Sequence, residues 1–179
     1  MSSTNRGSTR HPDDHYATPS WCVDALRLVL PRFDGLVIDA GCGEGAILEA
    51  LGHAPVIGVE LAHARAQLAI AKGHRIVEAD FLAYSDRNVR AVIMNPPYKL
   101  AKEFVDHAMR LVQLNDGFVA ALLRLPFLAG QKRRGWWQDN PADVYVLSRR
   151  PSFTGKGTDS CDYAWFVWGP GPRGRVTVL

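Results

Sequence analysis

Cysteine is scarce in this chain of 179 residues: Cys22, Cys42 and Cys161 are odd in number, far apart, and set among apolar or glycine-rich neighbours. That pattern argues against a disulfide framework, offers no zinc-ligand spacing, and favours a reducing cytoplasm as the compartment. Long apolar runs are missing too. None approaches the roughly 20 residues of a membrane helix, so no membrane partner is expected. Residues 1–10 are rich in Ser, Thr, Asn and Arg and lack the apolar stretch of a secretory signal. Residues 1–12 read as a disordered lead-in, followed by one domain over 13–179 without a separate target-recognition domain. Charge of one sign is nearly balanced by the other. The net +3 permits an anionic partner without demanding one. The histidines, His11, His15, His53, His63, His74 and His107, are scattered without metal-ligand spacing, so no metal is expected.

What the chain does have is a regular alternation of strand and helix signals. Thr18-Pro19 reads as a helix start, with Thr as cap and Pro at the first helical position. Cys22, Ala25, Leu26, Val29 and Leu30 then form an apolar face. Strands are expected at 36–40, 55–61, 74–79, 89–94 and 117–125, with helices between them. Ala101, Phe104, Val105, Ala108, Leu111 and Val112 mark one apolar helical stripe. A closing hairpin is expected from 144–148 and 163–168. This order predicts an α/β fold with a doubly wound, mostly parallel seven-stranded sheet and an antiparallel edge hairpin.

Ligands of such sheets bind at the carboxyl ends of the strands. The first strand runs into Asp39-Ala40-Gly41-Cys42-Gly43-Glu44-Gly45, where glycines permit a tight turn and close backbone approach. Glu60 closes the second strand, placed to accept from two ribose hydroxyls. Asp80 closes the third, placed to accept from an adenine amine. The loop spacing is not G-x-G-x-x-G, and Glu44 would repel a pyrophosphate. A cofactor carrying a cationic sulfonium and an ammonium suits Asp39 and Glu44 better.

The fourth strand ends in Asn95-Pro96-Pro97-Tyr98. Asn95 supplies an amide acceptor, Pro96 a carbonyl with no N–H of its own, and Tyr98 a face for a planar group. Residues before proline avoid helical angles, so Asn95 and Pro96 should present these acceptors from extended backbone.

From Tyr16 to Trp168 the chain resembles the S-adenosylmethionine-dependent amino-methyltransferases that act on adenine N6, a family with a Rossmann-like class I methyltransferase fold. The resemblance rests on Tyr16-Ala17-Thr18-Pro19, the glycine loop and the Asn-Pro-Pro-Tyr motif, in that order. The small size and the segment Phe153-Thr154-Gly155-Lys156-Gly157 are similar to phage or prophage DNA adenine methylases. The resemblance implies S-adenosylmethionine as cofactor. Asp39, Gly41 and Gly43 would surround its methionine moiety, with Thr18 and Pro19 nearby. Glu60 would hold the ribose, Asp80 with Phe81 would frame the adenine, and Leu61 and Asn95 would also contact the cofactor.

It also implies catalysis by Asn95, Pro96, Pro97 and Tyr98 on a base flipped out of DNA, with Phe153 flanking the base and Lys156 contacting phosphate. Phe153 reads equally as a core residue and Lys156 as a solvated loop tip. Three basic residues and two tryptophans within 131–137 suit nucleic acid, or surface packing. No element is large enough to read several base pairs, so specificity should be short or relaxed, or supplied by a dimer or partner. RNA adenine and a release-factor glutamine amide remain open as alternative acceptors.

Overall fold

The computed structural model describes residues 16–30, 34–52, 55–153, 157–171 and 173–179. The expected lead-in at 1–12 and Lys156 lie outside the described residues. One eight-stranded sheet runs through the molecule in the order β3-β2-β1-β4-β5-β7-β6-β8. Its first five strands in sequence are β1 (Leu36–Ala40), β2 (Val56–Glu60), β3 (Ile76–Glu78), β4 (Val89–Met94) and β5 (Phe118–Arg124). All of these pair in parallel. β1, β4 and β5 read as nearly continuous apolar runs because both faces of these central strands are covered, whereas β3 leaves Val77 and Glu78 exposed.

β6 (Asp143–Val146) and β7 (Tyr163–Trp168) form the expected antiparallel pair, with β7 inserted between β5 and β6. The sheet has one strand more than expected. β8 (Val176–Val178) adds in parallel outside β6, so the hairpin is not the true edge. This exposed three-residue strand is anchored by chemistry that a propensity pattern does not carry. The fully buried Asp143 carboxylate accepts from Arg173 Nη1, Arg175 Nη2 and the Arg175 backbone N–H, each at 3.0 Å.

The helices are α1 (Ser20–Arg27), α2 (Ala46–Leu51), α3 (His63–Ala71), α4 (Ala101–Gln113) and α5 (Arg134–Asp139). α4 buries Ala101, Phe104, Val105, Ala108, Leu111 and Val112, the stripe read from 3–4 spacing. A fully buried side chain such as Val105 contributes about 1.5–3 kcal/mol. α4 packs into a core cluster with Ile38, Val92 and Phe166, whereas α1 packs into a second cluster with Val37, Ile93 and Trp165. Consecutive residues of β1 and β4 therefore serve opposite faces of the sheet.

Thr18 does not cap α1. Pro19 takes the cap position in extended backbone without a side-chain cap bond, and the Thr18 hydroxyl accepts from Asn95 Nδ2 at 3.1 Å instead. Inside the sheet, Gly58 is required by close packing, since a Cβ there would lie 2.5 Å from Cys42 Sγ.

Candidate active site

β1 lies between β2 and β4, so the chain reverses its direction of travel across the sheet there. The carboxyl ends of β1 and β4 are neighbours, with Asp39 opposite Ile93. That crevice is where an open α/β sheet offers a ligand site. It brings the glycine loop beside the Asn-Pro-Pro-Tyr turn, although the two are some 50 residues apart along the chain. Gly41, Gly43 and Gly45 all hold positive φ (69°, 56° and 89°), which lets the loop fold back without a side-chain clash.

A cavity of about 330 Å³ fills the crevice, a volume suited to a small organic cofactor. Thr18, Asp39, Gly41, Glu60, Leu61, Asp80, Phe81, Asn95 and Pro97 line it, as do Tyr16 and Glu44. Pro19, Gly43, Pro96, Tyr98 and Phe153 do not. Gly43 instead acts on the wall: its N–H donates to Glu60 Oε2 at 2.8 Å, while Ala62 N–H donates to Oε1 at 2.8 Å. The Glu60 carboxylate is thereby held rigidly at the cavity wall. Asp80 caps a short 3-10 turn through Leu82 N–H at 2.9 Å and still faces the cavity. Leu61 and Leu100 stand 69% and 43% exposed at its edge, an apolar rim that a flat ring could cover.

Asp39 is the informative wall residue. Asp39 is 1% exposed, and neither carboxylate oxygen has a hydrogen-bond partner among the described residues. Burial, reinforced by the nearby Glu60 charge, raises its pKa well above the ordinary carboxylate value. An unpaired buried carboxylate is costly unless a cation or donor meets it. At the wall of this cavity, such a carboxylate suits a cationic ligand group.

The hydrogen bonds of Asn95 define its amide orientation. Nδ2 donates to the Tyr16 carbonyl and the Thr18 hydroxyl, both at 3.1 Å, and Oδ1 accepts from the Tyr98 hydroxyl at 3.1 Å. Both amide hydrogens are committed, which leaves Oδ1 one further lone pair. Burial, with Tyr163 alongside, pushes the Tyr98 phenol well above its usual pKa, so the hydroxyl stays protonated as a donor. The Pro97 carbonyl accepts from Leu100 N–H at 2.9 Å, whereas the Pro96 carbonyl takes no backbone donor among the described residues.

Tyr98 is surrounded by aromatic rings. Tyr16 stacks on it at 5.9 Å with an 18° interplanar angle, and Tyr163 lies 6.0 Å away. Phe153 packs against both Tyr16 (5.5 Å) and Tyr163 (5.1 Å). It also packs against the α1-side core cluster, as its reading as a core residue expects. Arg124, Asp159 and Tyr163 were not singled out from sequence for this site, and Tyr16 entered only as part of the Tyr16-Ala17-Thr18-Pro19 segment. An arginine ending the otherwise apolar β5 was the available signal.

The tryptophans and Arg133 of 131–137 serve the packing side of their two sequence readings. Trp136 Nε1 donates to Asp106 Oδ1 at 2.7 Å, and Trp137 Nε1 to the Phe127 carbonyl at 3.3 Å. Arg133 Nε also donates to Phe127 O at 3.0 Å while its guanidinium lies over the Phe127 ring.

No protein-family model matches this chain, and no curated protein sequence matches it. Solved structures do. The fold is that of the class I S-adenosylmethionine-dependent methyltransferases. A putative enzyme of that class from Listeria monocytogenes aligns with TM-score 0.68 and 14% identity, over 94% of this chain and 67% of its own. A putative RNA methyltransferase from Pyrococcus horikoshii aligns with TM-score 0.66 and 20% identity, over 97% and 94%. A modification subunit of a putative type I restriction enzyme from Vibrio vulnificus aligns with TM-score 0.61 and 17% identity, over 89% of this chain but only 45% of its own.

Proposed function

We propose that this protein transfers a methyl group from S-adenosylmethionine to the exocyclic N6 of adenine in DNA, with the target base flipped out of the duplex. The observation that carries the reading is the Asn95 amide at the cavity wall, held by Tyr16, Thr18 and Tyr98 with both Nδ2 hydrogens engaged, which leaves Oδ1 a lone pair for an acceptor role. A restriction-enzyme modification subunit and an RNA methyltransferase among the structural neighbours support a nucleic-acid acceptor.

The cavity residues fit the cofactor. Asp39 would meet its cationic end, Glu60 its ribose hydroxyls, and Asp80 with Phe81 and Leu61 its adenine. When bound, S-adenosylmethionine supplies an electrophilic methyl group. The protein's contribution is to the acceptor. An adenine amine is a weak nucleophile because its lone pair is delocalised into the ring. Asn95 Oδ1 and the Pro96 carbonyl would accept hydrogen bonds from its two N–H groups, which favours a pyramidal nitrogen and frees the lone pair; the methylated, cationic nitrogen then releases one proton to solvent. Tyr98 stacks on the flipped base and, through its hydroxyl, fixes the orientation of the Asn95 amide. Positioning and preorganised acceptors account for the rate, and no strong general base is needed.

Packing of Trp136, Trp137 and Arg133 against the body leaves 131–137 unsuited to insertion in a groove, which supports short or relaxed specificity. The test is methyl transfer from labelled S-adenosylmethionine to duplex DNA, single-stranded DNA, RNA and release-factor protein in parallel. DNA adenine should be the labelled acceptor. Label confined to RNA or to glutamine would replace the proposed substrate with one of those alternatives.

A further inference from the structure

Arg124 ends β5, directly opposite Tyr163, the first residue of β7. Its guanidinium carbon lies 4.9 Å from the centroid of the Tyr98 ring, within cation–π range. The same guanidinium is held from two other directions. Nε donates to the Tyr163 hydroxyl at 3.0 Å, and Nη2 lies 3.5 Å from Asp159 Oδ2. Tyr163 closes the triangle by donating its own hydroxyl to Asp159 Oδ2 at 3.0 Å. Asp159 in turn is fixed by its neighbours: Oδ1 accepts from Cys161 N–H at 3.0 Å, and its own N–H donates to the Pro151 carbonyl at 3.0 Å.

One planar cation thus joins the Tyr98 ring to the connection between β6 and β7, the connection that carries Phe153. Tyr163 is fully buried and packs edge-on against Phe153. A lysine could supply charge at this place but not two directed donors beneath a delocalised face, which is the property that separates arginine from lysine at stacked sites.

We propose that Arg124 is a positioning residue for the reaction: it holds the Tyr98 ring as the stacking platform of the target base and couples that platform to the Phe153-bearing connection. This rests on the reading of Tyr98 as the base platform. Arg124 does not line the cofactor cavity, so its effect should appear in DNA methylation and not in cofactor affinity. A role confined to stiffening the end of the sheet would instead lower thermal stability and act independently of Tyr98.

The experiment is a double-mutant cycle on labelled methyl transfer to unmethylated bacterial DNA, using Arg124→Met, Tyr98→Leu and their combination, with Arg124→Lys as the charge-retaining variant. S-adenosylmethionine affinity is measured for each by calorimetry. Arg124→Met should lower kcat/KM for DNA tenfold or more with the cofactor Kd within twofold, and Arg124→Lys should recover part of the loss. In the Tyr98→Leu background the Arg124→Met effect should shrink below twofold. A full tenfold effect retained in that background overturns the assignment of Arg124 alone. Wild-type transfer by Tyr98→Leu overturns the platform reading and this proposal with it. Where Arg124→Met does not fold, the same cycle with Tyr163→Phe, which removes the oxygen bonded by Arg124 Nε, reads the same coupling.

Discussion

The Tyr98 hydroxyl donates to Asn95 Oδ1 at 3.1 Å, so the stacking ring and the acceptor amide of one tetrapeptide are fixed to each other. Tyr98→Phe keeps the ring and deletes the donor. Loss of one net hydrogen bond of about 1 kcal/mol corresponds to a fall in kcat of roughly fivefold. Asn95→Ala removes the acceptor itself and should cost two or more orders of magnitude in kcat, as for loss of one transition-state hydrogen bond. Single-turnover methyl transfer compares the two directly.

Asn95→Asp is less conservative than its shape suggests. It retains an acceptor facing Tyr98 but replaces Nδ2 with a second oxygen, 3.1 Å from the Tyr16 carbonyl. Two acceptors then face each other in a partly buried place, which costs about 1–3 kcal/mol for the unsatisfied group. The variant should melt lower than wild type and retain a reduced kcat, which a thermal scan and the transfer assay check together.

Asp39 couples stability to pH. Its folded pKa is raised by burial and by Glu60, above an unfolded value of about 3.9. A raised pKa contributes stability that is complete below the unfolded value and is lost as pH rises through the folded value. The unliganded protein should therefore lose stability as pH climbs above the ordinary carboxylate range. Asp39→Asn should flatten that slope and raise the melting temperature at neutral pH. The same variant should weaken S-adenosylmethionine binding by about 30-fold, the cost of truncating one partner of a buried charge pair at roughly 2 kcal/mol. Differential scanning calorimetry with and without cofactor reads both effects, and their opposite signs are the signature.

Tyr16 stacks on Tyr98 at 5.9 Å, too close for a base to enter between the rings. A base stacking on that face must displace the Tyr16 ring, giving up an aromatic pair worth about 0.5–1.5 kcal/mol. Tyr16→Ala retains the backbone carbonyl that orients Asn95. It should lower the KM for DNA about 2- to 10-fold, measured by steady-state transfer.

Much of the fold was legible because its signals are local. The six-residue stripe of α4 buries as its spacing dictates, and the strands of the parallel half were recognisable as short apolar runs. β8 was not, because its pairing depends on Asp143 gathering Arg173 and Arg175 from about 30 residues away. Thr18 was misread for a related reason. A threonine before a helix is a local capping signal, yet its partner here is Asn95, 77 residues on. Of the candidate site, the residues at strand ends were legible because a parallel sheet places strand ends together. Arg124, Asp159 and Tyr163 come from an antiparallel return whose register no local pattern fixes. Tyr16 reaches Tyr98 only through tertiary packing of the segment before α1.

The central claim is the identity of the methylated atom. DNA incubated with the protein and S-adenosylmethionine carrying a deuterated methyl group, then digested to nucleosides, can be quantified by mass spectrometry. The account predicts label in N6-methyladenine, accumulating at least a hundredfold more slowly when Asn95→Ala replaces the wild type. Label in a cytosine product, or in no DNA nucleoside while RNA treated alongside becomes labelled, would contradict it.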